Sequence, residues 1–254
     1  MTSFRTFWLA IKDLFDELFI LAFVNVLWVL ISAPLVVAAG LLIGGGAWVP
    51  GVLVALLAVG PMAPATAGLY VLAQRVNEGR AISWRMFFQG FREYLVLSWK
   101  VYGLWTIGFI TIGVNLQFYS QIGSNAGTIL FVLFLYILLI WLALLIYIGP
   151  LMMLQTDKRI RLIARNAFLM VFGRPIFTLL TLVLMGVILL LSYILPILLL
   201  VLTFAFLAVW SFRATTTLIA EAEARRAAME EKAAAAASRE STEKGRRGQV
   251  RPRD

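Results

Sequence analysis

Three stretches of this chain, 18–74, 101–156 and 175–212, contain no Asp, Glu, Lys or Arg. Even the shortest would make a straight helix of about 57 Å, nearly twice the roughly 30 Å hydrocarbon core of a bilayer. Each stretch must therefore fold back on itself, and three hairpins predict six crossings. Composition agrees: the chain is 62% hydrophobic and 14% charged, whereas soluble domains are about half apolar and a quarter charged. The fold class expected is all-α, a polytopic transmembrane helical bundle.

Turn residues place the crossings near 18–44, 48–73, 97–119, 128–154, 175–194 and 196–217. Gly44, Gly45, Gly46 and Pro50 mark the first hairpin bend, Ser120 to Gly127 the second, and Ser192 to Pro196 the third. The third hairpin has an alternative. One long tilted helix followed by an interfacial segment would give five crossings and put the C-terminus outside.

Lys and Arg set the orientation. Arg75, Arg80, Arg85, Arg92 and Lys100 lie between the second and third crossings; Lys158, Arg159, Arg161, Arg165 and Arg174 lie between the fourth and fifth. The opposite loops carry none. The positive-inside rule then places both basic segments and both termini in the cytoplasm of a bacterial cell, with the chain a multi-pass protein of the cytoplasmic membrane. A cleaved signal peptide is the competing reading of the first crossing, but its apolar run is longer than a signal core.

Both basic segments are expected as amphipathic helices at the bilayer surface, near 82–95 and 158–172. In the first, Trp84, Phe87, Phe88, Phe91 and Tyr94 recur at helical spacing opposite Arg85, Gln89 and Arg92. Arg85, Arg92, Lys158, Arg159, Arg161 and Arg165 are the candidate lipid-headgroup contacts. Each segment precedes a hairpin, which suggests that 82–154 and 158–217 are related repeats. Beyond the transmembrane domain of 1–217, an Ala- and Glu-rich stretch predicts an exposed cytoplasmic helix over 218–237. A disordered basic tail is expected over 238–254.

The inventory for chemistry is short. Cys and His are absent, and no Asp or Glu falls within a proposed crossing, so nucleophile–base pairs, carboxylate pairs and zinc sets have no candidates. No catalytic residue, metal site or cofactor is expected, and the chain is read as non-enzymatic. Two intramembrane features remain. Asn25, Trp28 and Ser32 form a polar stripe on the first crossing, able to face a ligand or to hydrogen-bond neighbouring helices. Pro61, Pro64 and Thr66 mark a candidate helix break, or else a packing kink or helix start.

These residues carry a resemblance. Phe23 to Leu30 (FVNVLWVL), Gly60 to Tyr70 (GPMAPATAGLY), the basic stretch ending at Gly79, and Trp84 to Tyr94 (WRMFFQGFREY) resemble the signature of the YesL family of small bacterial membrane proteins. The likeness covers residues 19–95; beyond them it rests on hydropathy and Arg165–Asn166–Ala167. Members often lie beside genes for carbohydrate ABC importers, so the resemblance implies an accessory or regulatory role in carbohydrate uptake, with importer subunits as partners alongside the lipid bilayer. It transfers no binding residue. The alternatives from other classes are a small transporter or channel for a neutral solute and a lipid-interacting scaffold.

Overall fold

The computed structural model describes residues 2–248, with side chains described over 3–234. Two units are distinguished, Met1–Thr215 and Thr216–Asp254. The chain is all-α among the described residues. Its elements are α1 (Thr2–Asp16), α2 (Leu18–Gly44), α3 (Trp48–Asn77), α4 (Trp84–Glu93), α5 (Leu95–Ser120), α6 (Asn125–Leu154), α7 (Ile160–Gly173), α8 (Pro175–Ile194) and α9 (Pro196–Leu198). A π-helical stretch, Leu199–Thr203, then leads into α10 (Phe204–Gly248).

Among the described residues six helical segments are long and apolar enough to cross a bilayer, the number expected; the sixth, Pro196–Ala234, runs on past residue 217. Their apolar windows are poorly covered by protein, down to 17% buried in α2 and α6. Phe19, Leu41, Val49, Ile176 and Tyr193 are among the many large apolar side chains left outside. In water such a surface would drive aggregation; in lipid it is the solvated face of a multi-pass membrane protein.

The turns follow from glycine and proline. At the end of α2 the chain reverses at Gly46, whose φ of +83° lies where a side chain is strained. The Gly46 amide donates to Ile43 and the Ala47 amide to Leu42, the paired bonds of a Schellman motif. Gly79, at φ +67°, ends α3 with the same pair of bonds, to Val76 and Arg75. Ser124 caps α6 by accepting from the Gly127 amide, and Pro196 opens the final span as a first-turn proline.

Short amphipathic helix, span, span is an order that recurs three times: α1–α2–α3, α4–α5–α6, and α7–α8 with the last span. The sequence suggested it only for the second and third. A single residue separates each short helix from its span, Glu17, Tyr94 and Arg174 in turn. The short helices also dock alike. Phe87 of α4 lies over Gly68 of α3, and Gly90 of α4 meets Val71, the close approach that glycine permits. Helix α7 packs along α6. Helix α1 reaches across the sequence to the last span, where Phe7 meets Trp210, Thr6 accepts from the Trp210 indole, and Arg213 forms a two-pronged ion pair with Asp13. Each short helix thus leans on the second span of the preceding hairpin, and α1 closes the ring.

The part of α10 in the second unit is rich in Ala, Glu, Lys and Arg; Leu218 is buried and residues 222–234 are exposed. The backbone of α10 continues to Gly248, through the first part of the tail expected as disordered over 238–254; residues 249–254 lie outside the described residues.

Candidate functional site, an intramembrane polar seam

Asn25 sits about two turns into α2 and is fully buried. A primary amide in hydrocarbon must find partners for two N–H donors and an oxygen. Here all three come from the last span. Nδ2 donates to the carbonyls of Leu199 (2.9 Å) and Leu200 (2.7 Å), while Oδ1 accepts from the backbone amide of Ala205 at 2.9 Å. Leu200 and Ala205 are five residues apart, the pair that an i→i+5 bond joins in a π turn. The Asn25 amide therefore bridges the backbone ladder where the last span changes from π to α geometry. One turn away, Ser192 and Thr203 share a 2.6 Å hydroxyl hydrogen bond across the third hairpin.

Trp28, the next member of the stripe, lies against Phe204 with ring centroids 3.9 Å apart. Its indole donates to Thr66 Oγ1 at 2.9 Å, and that hydroxyl donates to the Met62 carbonyl at 2.8 Å. Ser32 is buried, and its hydroxyl has no hydrogen-bond partner among the described residues. The stripe thus splits: Asn25 joins α2 to the last span, Trp28 joins it to α3, and Ser32 joins it to neither.

The candidate break at Pro61 and Pro64 requires correction. Helix α3 runs unbroken from Trp48 to Asn77 with both prolines inside it, so Pro64 neither opens a helix nor unwinds one. Proline removes an amide and leaves the carbonyl four residues earlier without its helical donor. For Pro64 that carbonyl belongs to Gly60, and the Trp99 indole of α5 donates to it at 2.6 Å. A side chain from the neighbouring span replaces the missing backbone donor, so the helix continues.

Other tryptophans also reach backbone carbonyls of a neighbouring span, here without a proline to compensate. Trp105 donates to the Trp141 carbonyl and Trp141 donates back to that of Trp105, both at 3.0 Å. Each ring needs room, and Trp141 lies where a Cβ on Gly108 would stand. Three buried tyrosines also belong to this interior. Tyr70 meets Ser211 at 3.1 Å, Tyr147 meets Thr178 at 2.6 Å, and Tyr102 has no hydrogen-bond partner among the described residues.

Among the candidate headgroup residues, Arg85 and Arg92 on α4 and Arg161 and Arg165 on α7 are exposed. Lys158 and Arg159 are engaged within the chain. Lys158 Nζ donates to the carbonyls of Met152 (2.7 Å) and Met153 (3.1 Å), closing the C-terminus of α6, and lies over the Tyr94 ring. Desolvation holds its ammonium below the ordinary lysine value, with Glu93 pulling the other way. Arg159 pairs with Asp157 at 3.4 Å.

Sequence reasoning missed α1 as a packed element, and it missed the tryptophan clasps. A signal existed for the first, because Ser3, Thr6, Ala10 and Leu14 form a stripe of small or apolar residues and are buried. Among the described residues, no group of three His, Cys, Asp or Glu side chains converges to hold a metal. The seam is an array of neutral donors and acceptors that joins helices. No family model, curated protein or solved structure matches this chain.

Proposed function

We propose that the chain is a non-enzymatic membrane component, an accessory or regulatory partner in carbohydrate uptake, held in the bacterial cytoplasmic membrane with its basic end in the cytoplasm. The observation that carries the non-conducting part is the seam. Asn25, Trp28 and Thr66, which a solute pathway would need facing water, have their hydrogen-bonding groups engaged by neighbouring helices. The conduit reading loses the feature that motivated it.

The carbohydrate association rests on the YesL-like motifs. These motifs meet in space: Trp28 bonds to Thr66, Phe23 stands edge-on to Trp84 with centroids 6.2 Å apart, and Phe87 covers Gly68. That convergence supports reading them as one packed corner of α2, α3 and α4. The test is recovery of tagged protein in mild detergent, with sugar uptake measured in a deletion strain. Co-purification of sugar-importer subunits together with altered uptake is expected; recovery of none, with uptake unchanged, would refute the association.

A second reading, a lipid-interacting scaffold, is favoured by the outer faces of the short helices. Phe4, Trp8 and Phe15 of α1 stand exposed on one stripe beside Arg5 and Lys12, an arrangement suited to the boundary between headgroups and acyl chains. Replacing Arg85, Arg92, Arg161 and Arg165 with Gln is expected to weaken association with anionic vesicles; unchanged association would remove this reading.

A further inference from the structure

On the outer face of α7, Arg161, Arg165, Phe168 and Phe172 follow at intervals of four, three and four residues, and all are exposed. Such spacing puts them in a single stripe. Charge occupies its first half and aromatic carbon its second, over about 16 Å of helix. Neither arginine has a partner among the described residues, and α7 contains no acidic side chain.

Two apolar clefts flank this stripe. One lies between α7, α5 and α6, a shallow recess of about 50 Å³ to whose walls Ile163, Trp105 and Leu144 contribute, with Phe168 at its border. The other, of about 180 Å³, lies between α7, α6 and α8, and is walled by Ala143, Leu179 and Leu182 with Phe172 at its border. That volume exceeds the roughly 150 Å³ of an apolar cavity able to admit benzene, so it has room for about six carbons. Phe168 and Phe172 stack with centroids 6.4 Å apart, so the clefts open about one helical turn from each other.

We propose that this face of α7 seats one anionic diacyl phospholipid, its phosphate between Arg161 and Arg165, one acyl chain entering the larger cleft and the other lying along the shallow one. The assignment deepens the lipid-contact reading and rests on it. Charge complementarity selects the occupant: two unpaired guanidiniums match a phosphate, and a deep and a shallow apolar cleft side by side match two chains. A single-chain amphiphile would leave one cleft unfilled, and a zwitterionic lipid would bring a cation towards the arginines.

The experiment titrates the detergent-purified full chain with dioctanoyl phosphatidylglycerol or dioctanoyl phosphatidylcholine. Thermal unfolding and native mass spectrometry provide the readouts. The expected result is one phosphatidylglycerol per chain and a rise in unfolding temperature. Each basic residue near an anionic lipid contributes about fivefold, so phosphatidylcholine should bind about 30-fold more weakly, as should phosphatidylglycerol to the Arg161→Gln/Arg165→Gln chain. Ala143→Phe, which fills the second cleft, should weaken phosphatidylglycerol binding severalfold with both arginines intact. Arg85→Gln/Arg92→Gln on α4 should leave the seat unchanged while lowering general vesicle association, which separates the seat from the broader lipid-contact reading. Equal binding of the two lipids by the unaltered chain would overturn the proposal without any variant. Full phosphatidylglycerol binding by the double Gln chain, or equal stabilisation by inorganic phosphate, would also overturn it.

Discussion

Replacing Asn25 with Leu keeps an apolar side chain of similar size in α2 but removes three hydrogen bonds to the last span. Interhelical hydrogen bonds in membrane proteins average about 0.6 kcal/mol each, which puts the smallest loss near 2 kcal/mol. The loss grows if the π stretch persists, because the Leu199 and Leu200 carbonyls and the Ala205 amide then face hydrocarbon, and an unsatisfied buried group costs about 1–3 kcal/mol. Partial rewinding relieves some of that penalty, so we expect destabilisation of about 2–4 kcal/mol, roughly 30-fold to several hundred-fold in the unfolding equilibrium. Asn25→Asp should be worse than Asn25→Ala, since a carboxylate has no N–H to offer and would face two carbonyl oxygens. Reversible unfolding in denaturing detergent, followed by tryptophan fluorescence, measures the loss. Hydrogen exchange localises it, with protection falling over 199–205 before it falls elsewhere. A change below about 0.5 kcal/mol in Asn25→Leu, with exchange unaltered at Ala205, would refute the bridging role.

Gly68→Ala places a Cβ 2.6 Å from the Phe87 carbonyl; the variant should lose about 1–3 kcal/mol and release α4, seen as faster proteolysis between α3 and α5. Trp105→Phe and Trp141→Phe should each cost about 1 kcal/mol in detergent unfolding, with a double variant that departs from additivity because the two indoles form one clasp. Asp13→Asn removes the carboxylate gripped by Arg213 at 2.6 and 2.8 Å; about 1.5–3 kcal/mol should be lost, and α1 should exchange its amides first. Burial lowers the Lys158 ammonium, with Glu93 opposing, so between that lowered value and the ordinary lysine value the unfolded chain binds the proton more tightly. Stability should therefore rise with pH through that window, and Lys158→Met should flatten the slope in a pH-resolved melt.

How far the sequence carried depended on what each feature leaves in the residues. Gly46, Gly79, Ser124 and Pro196 each have a local reason to end or start a helix, so the hairpins were readable residue by residue. The uncharged intervals fixed the number of spans because a helix has a set rise per residue. Helix α1 was hidden by Arg5, Lys12, Asp13, Asp16 and Glu17, which read as a solvated end, although Asp13 serves as a tether. The π stretch leaves no local mark, since Leu199 to Thr203 is an ordinary apolar run and its geometry answers to an amide on another helix. Pro64 was legible as a lost donor, but only the fold supplies Trp99 as the replacement.

The polar stripe of α2 was legible as residues that need partners, whereas the identity of those partners depends on long-range packing. Leu199 and Thr66 are distant from Asn25 and Trp28 in sequence, and a single helix pattern cannot say which neighbour turns towards them. The arginines of α7 were legible as charge, but the clefts beside them are made by α5, α6 and α8.

The chain contains no cysteine, so single thiols placed in the seam report its access to water without background. Ser32→Cys and Thr66→Cys, probed in native membranes with a charged, membrane-impermeant thiol reagent, address the central claim that these groups lie in a packed interior. Both positions should stay unlabelled from either side of the membrane, while Gly46→Cys and Arg80→Cys label from opposite sides. Labelling of Ser32→Cys or Thr66→Cys from either side would contradict the packed seam and restore a water-filled path through the bundle.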